Sequence, residues 1–182
     1  ACSTAVRMME ELKTLNIGFA ERGMHTLDIG VGINTGPAVV GNMGADIRFD
    51  YTAIGDAVNL SSRLEGLNKY YGTHILVSED TRNQVNDSRF IFREVDRVKV
   101  KGKHLPIVMY ELMISNIEIL PSFENALEKY RSQDFSGAKS IFDELTSRCN
   151  DGPSRLYSGR CDEYLAAPPP ADWDGVYVAK SK

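Results

Sequence analysis

The stretch from residue 27 to residue 34 alternates apolar side chains with glycine and polar residues. The apolar positions are Leu27, Ile29, Val31 and Ile33, and the residues between them are Asp28, Gly30, Gly32 and Asn34. A period of two predicts a β-strand with one apolar face. Because glycine inside a strand marks a place where another backbone comes close, the sequence predicts a sheet strand under tight packing.

Similar patterns predict the neighbouring elements. Apolar residues at helical spacing predict a helix over residues 2–22 that stops at Gly23. The patterns that follow predict a turn or mobile hairpin over 36–44, a strand over 49–54, a helix from Asp56 (its cap) to about 67, a strand over 74–77, a helix from Ser78 to about 85, and strands over 90–100 and 106–113. Strands and helices do not alternate regularly enough for a doubly wound sheet, so an α+β fold is expected.

From Phe123 to Leu165 the pattern predicts helices only. We expect two domains, an α+β domain over 1–116 and a helical tail over 117–182. Ala126, Ala138 and Phe142 have the spacing of a tetratricopeptide unit. One such unit does not bury its own apolar face, so the tail should pack on the α+β part or on a partner. Within residues 166–182, three prolines impose an extended spacer, and Trp173 is interpreted as a plug that pins this end of the chain to the body.

The charge and the cysteines exclude several classes of protein. Twenty-one basic and 25 acidic residues give a formal net charge of −4, which argues against a general binder of nucleic acid or of anionic membrane. No apolar run approaches the roughly 20 residues that span a bilayer. Cys2, Cys149 and Cys161 are few, odd in number and far apart, which argues against a disulfide framework or a zinc site and favours a cytoplasmic, reducing compartment.

Two groups of polar residues suggest an anion site. Asn59 and Arg63 are four apart on a predicted helix and therefore share one face. An amide beside a guanidinium suits a phosphate with neighbouring hydroxyls. Downstream, lysines alternate at 99, 101 and 103, which on a strand would make one cationic face suited to a triphosphate. Taken singly, each group is equally typical of a solvated surface or a protected strand edge.

Taken together and in order, four segments resemble the catalytic domain of class III nucleotidyl cyclases, the adenylate and guanylate cyclases. The segments are Ile29–Pro37, Val40–Gly44, Asp50–Glu65 and Val100–Lys103, and the likeness spans about residues 1–113. The resemblance implies a ferredoxin-like core, here without its N-terminal part, followed by a small all-helical tail. The tail also resembles that of bacterial adenylate cyclases that follow a membrane-bound sensor module.

The resemblance implies a role for five residues. In the family, the ribose 3′-hydroxyl of ATP attacks the α-phosphate and pyrophosphate leaves. Asn59 would orient the ribose, and Arg63 would neutralise charge that grows on the α-phosphate. Lys101 would hold the terminal phosphates. Thr52 and Ala53 would line the purine pocket, and the Thr52 hydroxyl, which accepts from the adenine amino group, favours ATP over GTP.

The resemblance also implies magnesium or manganese and a head-to-tail homodimer. The family's two metal-binding aspartates belong to a part that precedes the first helix here, and Asp46–Phe49 only superficially resembles their segment. No metal ligand is therefore assigned, and residues 1–182 alone are expected to make little cyclic nucleotide. Loss of the first strands should also expose an apolar face that causes self-association or rearrangement. The alternatives are a degenerate module that binds nucleotide or a partner without catalysis, and an interaction protein built on the helical tail.

Overall fold

The computed structural model describes residues 1–45, 48–98 and 106–176, with backbone alone at 43–45 and 48–50. Its helices are α1 (Cys2–Glu21), α2 (Asp56–Tyr71), α3 (Glu79–Gln84), α4 (Leu120–Arg131), α5 (Phe135–Cys149) and α6 (Gly152–Ala166). Its strands are β1 (Val31–Ile33), β2 (Val39–Ala45), β3 (Arg48–Ile54), β4 (Ile75–Ser78), β5 (Phe92–Val98) and β6 (Ile107–Leu112). The expected α+β fold with a helical tail is confirmed.

Four of the strands form one sheet in the order β1-β4-β6-β5. β1 runs parallel to β4, with Val31 opposite Ile75, whereas β6 is antiparallel to both of its neighbours. β2 and β3 form a separate antiparallel hairpin, with Val39 opposite Ile54. The hairpin leads directly into α2, so it projects beside the helix that packs on the sheet.

Gly32, the middle residue of β1, allows α2 to pack closely against the strand. The sequence predicts such tight packing at this strand. A Cβ atom at Gly32 would overlap the carbonyl oxygen of Ser61 and the amide nitrogen of Glu65. Side chains of α2 bond to the β1 backbone across this short gap. Ser61 Oγ donates to the Gly32 carbonyl at 3.1 Å, and Asn68 Nδ2 donates to the Val31 carbonyl at 3.1 Å. The absence of a side chain at Gly32 thus sets how closely α2 lies to β1.

Gly32→Ala is expected to lower the free energy of unfolding by about 1–3 kcal/mol, because the new methyl group forces α2 away from β1. Gly66→Ala is the matched control. Gly66 lies inside the same helix with open space where its Cβ would be, so this change should raise stability by about 0.5–1 kcal/mol. Urea denaturation of both variants measures the difference, and equal effects would contradict the packing described above.

Three local predictions are wrong in detail. The strand begins at Val31, because the Leu27 backbone is held by the Asn16 side chain in two hydrogen bonds of 2.7 and 2.8 Å. Residues 36–44, expected to be a turn or a mobile hairpin, include most of strand β2 (Val39–Ala45), the first strand of an antiparallel hairpin, because pairing with β3 satisfies its glycine-rich backbone. Asp56 is the first residue of α2, not its cap. The cap is Gly55, whose φ of +146° suits glycine.

The helical tail packs on the sheet, as expected for helices that do not bury their own apolar face. Ala126, Ala138 and Phe142 are fully buried in its core, which also contains Tyr157 of α6. The Tyr157 hydroxyl donates to the Val95 carbonyl of β5 at 2.9 Å. The likeness to a tetratricopeptide unit stays a prediction.

Trp173 acts as the expected plug. Its ring packs edge-on against Tyr130 and Tyr164, with centroids 5.4 and 5.0 Å away. The indole Nε1 donates to the Val176 carbonyl at 2.9 Å. The segment that follows α6 is therefore pinned back onto α4 and α6. All three cysteines are free. Among the described residues, no helix combines the length and the apolar character needed to cross a membrane.

Candidate functional site

Asn59 and Arg63 lie one turn apart on the exposed face of α2. The opposite face of the helix is buried, and its buried side chains are Leu60, Leu64, Asn68 and Tyr71. This division gives α2 one face for packing on the sheet and one face for a ligand. The amide and the guanidinium that the sequence singles out are therefore both accessible to an anion.

The start of α2 is also fixed by contacts. The Asn59 backbone N–H donates to the Gly55 carbonyl at 3.0 Å, which closes the first turn. Asn34, in the loop after β1, donates from Nδ2 to the Ala57 carbonyl at 3.0 Å. A Cβ atom at Gly36 would lie 2.8 Å from the Ala57 Cβ, so this loop is in close contact with the helix. The candidate residues thus stand on a rigid support.

Thr52 and Ala53 lie on β3, just before α2. Thr52 is exposed and pairs with Gly41, whereas Ala53 is half-buried and pairs with Val40. Only Gly55 separates β3 from α2, and the two elements are in contact. The structure thus places Thr52, Ala53 and the Asn59–Arg63 face on consecutive elements.

The hairpin carries exposed apolar side chains on both of its faces, since the opposed residues Val39 and Ile54 share one face and Val40, the next residue along the strand, lies on the other. Tyr51 is 77% exposed and Val39 is 63% exposed, and Val40 and Ile54 are also exposed. Self-association through these side chains stays a prediction.

Lys101 lies outside the described residues, together with the neighbouring lysines at 99 and 103 and with Asp46. β5 ends at Val98, so the lysine run follows this strand in the chain.

The described residues do not fit a metal centre. Nowhere in residues 1–45, 48–98 and 106–176 do three or more His, Cys, Asp or Glu side chains group so that they could hold a metal ion.

The profile of the adenylate and guanylate cyclase catalytic domain matches residues 1–114. This chain belongs to that family. Its residues 1–114 are called the cyclase portion below.

Individual relatives agree with the profile. The chain is 37% identical over 173 residues to the terminal-differentiation specific adenylate cyclase of Dictyostelium discoideum, a match that covers 88% of this chain and 8% of that protein. It is 41% identical over 113 residues to adenylate cyclase 1 of Rhizobium meliloti, covering 62% of this chain and 17% of the relative. The chain thus spans a small part of the curated relatives it matches. The Dictyostelium match reaches beyond the cyclase portion, so part of the helical tail is shared with that protein.

A solved structure supports the fold. The crystal structure of the adenylyl cyclase CyaB from P. aeruginosa superposes with a TM-score of 0.55 at 36% identity, covering 64% of this chain and 58% of that one.

Sequence reasoning missed a buried ionic network between the cyclase portion and the helical tail. Arg93 bonds to Glu111 and, through Nη1, to Asp151 Oδ1 at 2.9 Å. Arg160 Nη1 donates to Asp96 Oδ2 at 2.7 Å. Burial raises the pKa of Glu111, although the Arg93 charge opposes the shift. The sequence gives no signal for this network, because charged residues in a strand such as β5 are equally typical of a solvated sheet edge.

Proposed function

We propose that this chain is the C-terminal portion of an adenylate cyclase that converts ATP to 3′,5′-cyclic AMP and pyrophosphate in intracellular signalling. The observation that carries the proposal is the Asn59–Arg63 pair, which is exposed on a helix fixed against β1. The catalytic domain would occupy residues 1–116 and the helical tail residues 117–182, in the cytoplasm. Magnesium or manganese would be bound by the family's two metal-binding aspartates, to which no residue of this chain is assigned.

Each candidate residue would make one contact with ATP. The Asn59 amide would hydrogen-bond the ribose and orient its 3′-hydroxyl. Arg63 would stabilise negative charge that develops on the α-phosphate, where a fixed cation contributes most in the transition state. Lys101 would bind the terminal phosphates as a point charge. Thr52 and Ala53 would contact the purine, with the Thr52 hydroxyl accepting from the adenine amino group.

The proposed assembly is a head-to-tail homodimer, in which each site takes residues from two protomers. The exposed apolar side chains of the hairpin support such an interface, because an interface would bury them. If both protomers are residues 1–182, both sites lack the family's metal-binding aspartates. We therefore expect the chain alone to form little cyclic AMP.

Binding of ATP to this chain tests the proposal without requiring turnover. Asn59→Ala and Arg63→Ala should each weaken ATP binding, with Arg63→Ala doing so by about tenfold or more, since a hydrogen bond to a charged group contributes about 1.5–3 kcal/mol. Calorimetric titration measures both, and titration with GTP tests the expected preference for ATP.

The matched control is Arg148→Ala, an exposed arginine on α5 in the helical tail. It removes the same charge far along the chain from the candidate site and should leave ATP affinity unchanged. Equal losses in the Arg63 and Arg148 variants would mean that ATP responds to net charge alone, which contradicts the proposed site.

A second candidate function is a regulatory module that binds nucleotide or a partner without catalysis. The observation that favours it is the poor fit of the described donors to a metal centre. Both candidates predict ATP binding through Arg63, and they differ in whether a completed catalytic domain forms cyclic AMP.

A further inference from the structure

Four consecutive residues of β5 each bond to the helical tail. Their partners lie on α4, on α6 and at the residue that caps the start of α6. The pairs are Arg93 with Asp151, Glu94 with Arg131, the Val95 carbonyl with the Tyr157 hydroxyl, and Asp96 with Arg160. The tail is therefore joined to strand β5 of the cyclase portion by three ion pairs and one hydrogen bond.

Asp96 connects three elements through one carboxylate. Its Oδ2 accepts from Arg160 Nη1 of α6 at 2.7 Å and from the hydroxyl of Tyr71 at 2.6 Å. Tyr71 is the last residue of α2, the helix that carries Asn59 and Arg63. Asp96 and Arg160 are 2% and 4% exposed, so water does not replace these bonds without opening the interface.

The backbones of α2 and α6 also meet directly. Gly72 follows α2 with a φ of +67°, and a Cβ atom there would lie 3.0 Å from the Gly152 Cα. A Cβ atom at Gly152 would lie 2.5 Å from the Tyr71 carbonyl oxygen. The start of α6 is thus seated on the end of α2, next to the Asp96 cluster.

These contacts join the tail to both elements that lead to the proposed ATP contacts. α2 carries the Asn59–Arg63 face, and β5 is followed in the chain by the lysine run that contains Lys101. A shift of α2 would move the proposed ribose and α-phosphate contacts, because both stand on this helix. Small displacements of such groups have large effects on the reacting geometry.

We propose that the helical tail positions the nucleotide site, with Asp96, Arg160 and Tyr71 as positioning residues that fix α2 relative to β5. The inference rests on the proposed function, because it concerns the same ATP contacts. It assigns the tail a role in ATP binding in addition to covering the sheet.

The double variant Asp96→Asn, Arg160→Met in the full 182-residue chain tests the role. It removes both charges together, so no buried charge is left unpaired and the fold should persist. The Asp96 carboxylate accepts from the Tyr71 hydroxyl at one oxygen and from the Arg97 backbone N–H at the other. The amide that replaces it has one acceptor oxygen, so it does not keep both bonds, and the link between α2 and β5 is weakened. ATP affinity should fall by about two- to thirtyfold, while the thermal midpoint stays near that of the unchanged chain.

Two further variants separate positioning from stability. Phe135→Leu loosens the tail core around Tyr164 and Trp173, away from Asp96, and should lower the thermal midpoint without changing ATP affinity. Arg160→Lys keeps the charge with a different geometry and should give an intermediate affinity, which also keeps the test informative if the double variant does not fold. A double variant that folds and binds ATP as tightly as the unchanged chain overturns the inference.

Hydrogen exchange separates this inference from the proposed function. Amides of residues 56–63 should exchange faster in the double variant than in the unchanged chain, and Phe135→Leu should not produce this change. If the unchanged chain binds no ATP, the proposed function fails. The exchange rates of residues 56–63 in the unchanged chain and in the double variant then still test whether the tail fixes α2. Equal exchange rates in the unchanged chain and the double variant would overturn the positioning role.

Discussion

Arg93→Met is expected to lower the free energy of unfolding by about 3–5 kcal/mol at neutral pH, the loss typical of breaking a buried ion pair. Arg93 is 2% exposed and lies between the carboxylates of Glu111 and Asp151, with its guanidinium 4.4 Å from the centroid of the Phe123 ring. Methionine replaces much of the volume but leaves two buried carboxylates without their cation. Urea denaturation at pH 7 measures the loss.

The loss should depend on pH in a direction set by Glu111. Burial already raises the pKa of Glu111 with Arg93 present, and removal of the cation should raise it further. A carboxyl group whose pKa is higher in the folded state binds more protons there, so its contribution to stability falls as the pH rises. The deficit of the variant should therefore be smallest near pH 4 and grow as the pH rises above the ordinary glutamate pKa, about 4.3.

The control for this prediction is Arg89→Met. Arg89 forms its ion pair with Asp87 on the surface, where such pairs contribute little, so the variant should unfold like the unchanged chain. A deficit in Arg93→Met that is small, or that does not change between pH 4 and pH 7, would show that the Arg93 cluster does not join the tail to the sheet as described.

Arg63→Ala should reduce kcat for cyclic AMP formation by about a hundred- to a thousandfold in a completed catalytic domain. The completed domain is a fusion protein in which the corresponding N-terminal part of the CyaB catalytic domain precedes residue 1 of this chain. Because Arg63 is proposed to act on charge that develops in the transition state, kcat should fall more than KM rises. Steady-state kinetics with ATP measures both constants. Arg148→Ala in the same domain is the control and should be as active as the unchanged domain.

Local sequence patterns were sufficient to predict the strand and the helix face that hold the candidate residues. The alternation around Val31 and the glycines beside it predict the strand and its tight packing, although they do not identify α2 as the element that packs there. The four-residue spacing of Asn59 and Arg63 predicts their shared face, because helix geometry depends only on neighbouring residues. The expectation that a single tetratricopeptide-like unit needs a further surface predicts that the tail packs on the α+β part or on a partner, and the structure shows the first of these.

The missed features depend on partners that are distant in sequence. Arg93 and Asp151 are 58 residues apart, and Asp96 and Arg160 are 64 residues apart. No periodicity links such positions, so each charge alone is equally typical of a solvated residue. Strand β2 was missed for a related reason, since its glycines indicate a turn until the pairing with β3 is known.

The most direct test of the account is the initial rate of cyclic AMP formation from ATP by the completed domain and by the 182-residue chain under the same conditions. We expect cyclic AMP from the completed domain, with ATP preferred over GTP, and no product from the chain alone above that of its Arg63→Ala variant. A folded completed domain that binds ATP but forms no cyclic AMP, or Arg63-dependent product from the chain alone, would contradict the account.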